Sequence, residues 1–236
     1  MPLEHEVRAI HLRPAADLAE RVLLPGDPHR ALAVAQSLLD APKMFNHARG
    51  LWGYTGRAAD GDPLTVQSTG MGGPSAAIVA EELIALGARR LVRIGTCGAL
   101  VPGIGFGELL AAEAVIPGDG ASAALGADGL LRPDPDLLAG LVAAGARPVT
   151  VLSTDLFFDA GVPSRPSRGR AAQAVEMEAA ALLRVSELRG AAAACVLAVT
   201  DVPSPEGGRR IEPEELAGLA ERLGDAGYAA LRTRRP

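Results

Sequence analysis

The chain has few side chains that stack, few that crosslink, and no stretch suited to spanning a membrane. It holds one Trp, two Tyr and four Phe, an aromatic content of 3%, and a formal net charge of −5. That combination argues against a nucleic-acid backbone or a file of stacked bases as the partner. Its two cysteines, Cys97 and Cys195, lie far apart in apolar surroundings with no Cys-x-x-Cys spacing, and the histidines form no cluster. A disulfide framework and a zinc-type site are therefore both unexpected. No apolar run approaches the ~18 residues a bilayer crossing needs. The first residues include Glu4, His5, Glu6 and Arg8 instead of an apolar signal core. These absences imply a cytoplasmic protein with reduced core thiols, no metal, no membrane contact and a small ligand.

What is present is ordinary globular material, 48% hydrophobic and 22% charged over 236 residues. One domain spanning 1–236 is expected. The most telling segment is VLLPGDPHRA, Val22 to Ala31, a buried strand running through a Pro-Gly turn into a helix that carries Arg30. A glycine admits backbone N–H groups to an anion, and a helix start supplies free N–H groups and a positive dipole end. The arginine adds a forked, permanent cation. The same residues also make a good turn with no ligand.

Alternating elements follow. Leu64 to Thr69 reads as a strand, Pro74 to Leu86 as a helix closed by Gly87, and Leu91 to Gly95 as a strand, together a parallel βαβ unit. Further strands are expected at Leu109 to Ile116, Pro148 to Leu152 and Ala192 to Val199, with helices at Val175 to Leu188 and Glu214 to Leu231. In the last helix Leu216, Leu219, Leu223 and Leu231 share a stripe that should pack on the sheet. Pro117 to Asp136, Asp159 to Arg170 and Val202 to Pro213 read as surface loops. PGIGFG, Pro102 to Gly107, is not a dinucleotide fingerprint, because no helical pattern follows it.

Candidate chemistry gathers at strand ends, where open α/β sheets place ligands. RIGTCGA, Arg93 to Ala99, offers a second arginine, the Thr96 hydroxyl and glycine amides for an anion, although Arg93 could equally pair with a carboxylate. STDLFFD, Ser153 to Asp159, places Phe157 and Phe158 where one could stack on a flat ring or both could be core. In VEMEAAALL, Glu176 and Glu178 lie two apart. Extended, they share a face and could accept the hydroxyls of a polyol; helical, they would serve the dipole. AVTD ends a strand in Asp201, which, buried away from cations, could donate a proton, or could cap a turn.

Taken together, these blocks resemble the nucleoside phosphorylases of the hexameric bacterial purine type. The carriers, in order, are IHLRP, VLLPGDPHRA, NHARGLWGYTG (Asn46 to Gly56), TGMGGPSAAIVAEEL, VRIGTCGAL, STDLFF, VEMEAAAL and AVTD, and they span nearly the whole chain. The resemblance implies a three-layer α/β/α fold around a mixed, partly barrel-like sheet. It implies reversible phosphorolysis of a purine nucleoside to free base and pentose 1-phosphate, with inorganic phosphate as co-substrate and no cofactor.

By motif, Gly26, Arg30, Arg93 and Thr96 would bind phosphate, joined by Arg49 from a neighbouring subunit. Met177 and Glu178 would hold the sugar, and His11 would reach its 5′ end across a dimer interface. Phe157, Val175, Glu176 and Thr200 would surround the base, and Asp201 would protonate it at N7. A homo-hexamer built as a trimer of dimers is the implied assembly. Where the family carries an arginine downstream of the aspartate this chain has Glu214, with Arg209 and Arg210 earlier in the same loop.

Three other activities share parts of the pattern. A uridine phosphorylase would read its base with a Gln/Arg pair, for which Arg165, Arg168 and Arg170 are the nearby arginines. A methylthioadenosine phosphorylase or nucleosidase would keep Glu178 and Asp201, the nucleosidase having no use for the arginines. A non-catalytic purine binder would bind without turnover.

Overall fold

The computed structural model describes residues 8–158, 172–204 and 207–232. Strand β1 (Arg21–Leu24) shows how the layers arise. Val22 and Leu24 face one core and Leu23 the other, all without exposure. A strand apolar on both faces belongs at the centre of a covered sheet. At about 1.5–3 kcal/mol per buried aliphatic side chain, these three residues hold it there.

In chain order, β1 is followed by α1 (Pro28–Leu38), the hairpin β2 (Asp40–Asn46) and β3 (Gly53–Arg57), β4 (Pro63–Gln67), α2 (Gly73–Ala85) and β5 (Arg90–Ala99). Then come β6 (Leu109–Gly118), α3 (Gly120–Ala124), α4 (Pro135–Ala143), β7 (Arg147–Thr154), β8 (Ala174–Glu176), α5 (Ala179–Arg189), β9 (Ala192–Ser204), β10 (Gly207–Arg210) and α6 (Pro213–Arg232).

The strands form one mixed sheet in the order β10-β9-β6-β7-β8-β5-β1-β4-β3-β2, and a further β5–β9 pairing closes β5, β9, β6, β7 and β8 into a ring. This is the expected three-layer fold with a partly barrel-like sheet. Helices α2, α3 and α5 pack on one side, and α1, α4 and α6 on the other. The last helix does lie on the sheet, against β5, β9 and β1. No helix of the described residues is long and apolar enough to cross a membrane.

The long strand β5 positions the site. One of its edges pairs with β9 from Arg90 to Gly98. The other pairs first with β1, as far as Arg93, and then with β8 from Gly98. Between those two pairings the sheet opens, and a crevice forms where β1 ends, as the rule for switch points in α/β sheets anticipates.

Several expectations need correcting. β5 does not stop at Gly95 but runs to Ala99, because its second half still has β9 and β8 to pair with. The helix expected over Val175 to Leu188 begins only at Ala179; Ala174–Glu176 is extended and completes the ring. The loop expected over Pro117 to Asp136 contains α3 and the start of α4, each capped by an aspartate, Asp119 and Asp134. The loop expected over Val202 to Pro213 includes the end of β9 and the antiparallel strand β10. The βαβ unit is parallel, but β1 lies between its two strands. The whole of the Asp159 to Arg170 segment, with Arg165, Arg168 and Arg170, lies outside the described residues.

Candidate active site

The crevice beside β5 is a cleft of 740 Å³, within the range that holds a small ligand. Its lining includes Gly26, Arg30, Arg93, Thr96, Phe157, Val175, Glu176, Met177, Glu178, Thr200 and Asp201, so eleven of the thirteen residues singled out from sequence come together. His11 and Arg49 do not line it. His11 sits on the N-terminal segment against Glu82. Arg49 occupies a 3-10 turn at Ala48–Gly50, in a left-handed conformation with φ 59°.

At one end stands Arg93, nearly fully buried. Its Nε lies 3.0 Å from Glu176 Oε2, and Nη2 pairs with Glu178 Oε2. Burial alone would lower the guanidinium pKa, and the charges of Glu178 and Glu176 more than reverse that, so Arg93 stays charged. Its Nη1 is buried with no hydrogen-bond partner among the described residues. A Cβ built on Gly26 would come 3.9 Å from that nitrogen, which locates the unused donor at the Pro-Gly turn. Gly95 exists for the same side chain, since a Cβ there would lie 2.6 Å from Arg93 Nη2.

Arg30 is the second cation. Burial, and then repulsion from Arg93, push its pKa down. A cation desolvated beside another cation is stabilised by an anion between them. Two details differ from the sequence reading. The first-turn N–H groups of α1 are engaged internally, Arg30 N–H by Asp27 Oδ1 at 2.8 Å and Ala31 N–H by the Asp27 carbonyl at 3.0 Å. Thr96 to Gly98 belong to the β5 ladder. The Arg30 and Arg93 side chains and the Thr96 hydroxyl remain as anion contacts, with Gly26 providing room.

The two glutamates have separate tasks. Glu176 accepts from Ser153 Oγ, from Arg93 Nε, from Glu178 N–H at 2.8 Å and from Ala179 N–H at 2.9 Å. Burial, and after it the Glu178 charge, push the Glu176 pKa up, against the pull of the Arg93 charge and of these donors. With its oxygens occupied, Glu176 anchors Arg93 and the start of α5 and does not reach toward a base. Glu178 Oε1 accepts the Gly72 N–H at 2.6 Å, which fastens the Gly70–Gly73 turn to the cleft.

At the other end Asp201 sits on β9 opposite Gly98 and Arg210. Its Oδ2 lies 2.8 Å from Thr200 Oγ1. The setting considered from sequence, an Asp201 buried away from cations, is not the one observed. Its side chain is 34% exposed, and Arg210 Nη1 stands 3.6 Å from Oδ1. Arg210 also lies over the Phe157 ring at 5.7 Å. Arg209 points elsewhere, over Phe106 at 5.7 Å. Phe157 and Phe158 contact each other edge-to-face and are both exposed, which excludes the core alternative for the pair.

Sequence reasoning missed three contributors: Gly72, Ser153 and Cys97. Cys97 lines the cleft, and burial pushes its thiol pKa up, so it is present as a thiol. Gly72 and Ser153 lay in motifs already noticed, but a backbone donor and a buried hydroxyl leave no spacing signal.

The comparisons agree with this geometry. A family profile described as Phosphorylase superfamily matches residues 20–232. A DeoD-type purine nucleoside phosphorylase of Oceanobacillus iheyensis is 33% identical over 196 residues, covering 78% of this chain and 83% of that one. Another of the same description, from Hahella chejuensis, is 36% identical over 220 residues, covering 84% and 87%. Among solved structures, the purine nucleoside phosphorylase of Toxoplasma gondii in complex with immucillin-H superposes with a TM-score of 0.82 at 23% identity, covering 95% of this chain and 97% of that one. At that identity the last comparison speaks for the fold.

Proposed function

The chain belongs to the phosphorylase superfamily, among relatives described as DeoD-type purine nucleoside phosphorylases, and from that premise we propose that it cleaves purine nucleosides by reversible phosphorolysis. The products are free purine and ribose or deoxyribose 1-phosphate. The observation that carries the reading is the pair of cations, half-buried Arg30 and buried Arg93 with its unused Nη1, at the opposite end of one cleft from a carboxyl group.

Phosphate binds between Arg30, Arg93 Nη1 and Thr96 over Gly26, joined by Arg49 of a neighbouring copy. Glu178 and Met177 hold the sugar, with the Glu178 carboxylate accepting its hydroxyls, and His11 of the neighbouring copy meets the 5′ end. Phe157 and Val175 flank the base, beside Thr200. Departure of the purine leaves negative charge on the ring and positive charge on the sugar. A proton from Asp201 to N7 and a phosphate dianion beneath the anomeric carbon oppose both. Once Asp201 has given its proton it is an anion, and Arg210 stabilises that product state, the part played by the downstream arginine that this chain lacks. Inorganic phosphate is the co-substrate, and the scheme uses no cofactor.

Because His11 and Arg49 act from a neighbour, the working unit is at least a dimer, and we expect a homo-hexamer. Exposed Met71, Leu156, Phe157 and Phe158 at the cleft mouth support an intersubunit lid over it. The test is product formation from inosine, adenosine, methylthioadenosine and uridine, with and without phosphate, following base and sugar 1-phosphate by chromatography. Phosphate-dependent release from the purine nucleosides is expected. Release without phosphate would indicate a nucleosidase, preference for uridine the pyrimidine branch, and no turnover a binder.

A further inference from the structure

His11 does not line the cleft of its own chain, yet its ring is gripped by one of the most fully engaged carboxylates among the described residues. Glu82, buried on α2, accepts at Oε1 the N–H groups of Ile10 at 3.1 Å and His11 at 3.0 Å. Its Oε2 accepts those of His11 at 3.1 Å and Leu12 at 2.7 Å. His11 Nδ1 lies 2.6 Å from Oε1. Burial works against ionisation of Glu82, but the donors of Leu12, His11 and Ile10 outweigh it and keep the carboxyl below its usual range.

Backbone N–H groups only donate, so both Glu82 oxygens are acceptors and the facing Nδ1 must carry a proton. The neutral imidazole then keeps its lone pair on Nε2. Asn46 fixes the neighbouring segment in the same way. Its Oδ1 accepts the Arg13 N–H at 2.9 Å, and its Nδ2 donates to the Leu51 carbonyl at 2.5 Å across the turn that bears Arg49. His11 and Arg49 thus stand on one braced frame.

We propose that Glu82 is the positioning residue for His11. By holding the proton on Nδ1, it presents Nε2 as an acceptor that selects nucleosides with a free 5′-hydroxyl over those lacking that donor. The inference rests on the reading above that His11 meets the sugar 5′ end in a neighbouring copy. It names the substrate class as 5′-hydroxyl nucleosides and not 5′-deoxy or 5′-methylthio analogues.

The experiment compares kcat/KM for inosine and 5′-deoxyinosine at saturating phosphate in the wild-type protein, His11→Ala, Glu82→Gln and the double variant. Wild type should prefer inosine by about tenfold or more. His11→Ala and Glu82→Gln should each erase that preference by slowing inosine alone, and the double variant should lose nothing further. If His11→Ala leaves the preference intact, the cleft reading for His11 fails and takes this inference with it. If His11→Ala erases the preference while Glu82→Gln keeps it, or slows both substrates equally, the inference alone is overturned. Should Glu82→Gln not fold, the nitrogen-15 NMR spectrum of the wild-type imidazole decides: a neutral Nδ1–H tautomer is expected, and an Nε2–H tautomer contradicts the proposal.

Discussion

The two ends of the cleft are built on opposite plans. At the phosphate end Arg93, Glu176 and Glu178 are buried, held by contacts to one another, to Ser153, to Gly72 and to the start of α5, with one nitrogen of Arg93 left unused. At the base end, Asp201 and Arg210 face each other across the β9–β10 pairing, and the Arg210 side chain is 60% exposed. A dianion must be taken from water by charges already in place, because reorganising them during the reaction would add to the barrier. A flat, mostly apolar base can complete its own site by covering exposed rings.

Replacing Arg93 should break this contrast most severely. Arg93→Met leaves Glu176 and Glu178 buried without their cation, so stability should fall by about 3–5 kcal/mol in urea titrations and phosphate-dependent turnover by about 10³-fold. Asp201→Asn should cost purine turnover about 10²- to 10³-fold, yet calorimetry should find phosphate affinity unchanged.

Gly95→Ala sharpens the comparison, since its Cβ would press on the Arg93 guanidinium without touching the base end. The KM for phosphate should rise, with activity down roughly 10²-fold, while 7-methylinosine and inosine suffer equally. Arg210→Ala removes an exposed partner of Asp201 and the cation over the Phe157 ring. A loss of a few-fold in kcat is expected, with stability within about 0.5 kcal/mol of wild type.

The smallest effect concerns neither end. The Arg21 hydrogen bond holds the Asp60 carboxyl at about 2, below its ordinary 3.8. A depressed carboxylate contributes stability that is present above pH 3.8 and is lost as pH falls through about 2. Asp60 is largely exposed, so Asp60→Asn should flatten acid unfolding in that window by only about 0.2–1 kcal/mol, with activity unchanged.

The same contrast governs what the sequence revealed. Elements with a buried stripe or an alternating face, such as β1, α2, β9 and α6, announce themselves through side-chain periodicity. The break between Glu176 and Ala179 did not, because it depends on a carboxylate that folds back to cap the helix and pair with an arginine from another strand. The β9–β10 hairpin was hidden in Pro, Gly and charge, which also mark loops. At the site, motifs brought the cations and carboxylates together, but their partners are backbone amides and a serine hydroxyl, which carry no pattern. The aspartate's neighbour was ambiguous between Arg209 and Arg210 until strand register set Arg210 opposite Asp201.

The most direct test of the two-ended account compares inosine with 7-methylinosine, whose ring already carries the positive charge that N7 protonation supplies, in wild type and Asp201→Asn at saturating phosphate. The account predicts that the variant loses inosine cleavage by about 10²-fold or more and keeps cleavage of 7-methylinosine near the wild-type rate. Equal losses on both substrates, or no loss on inosine, would contradict it.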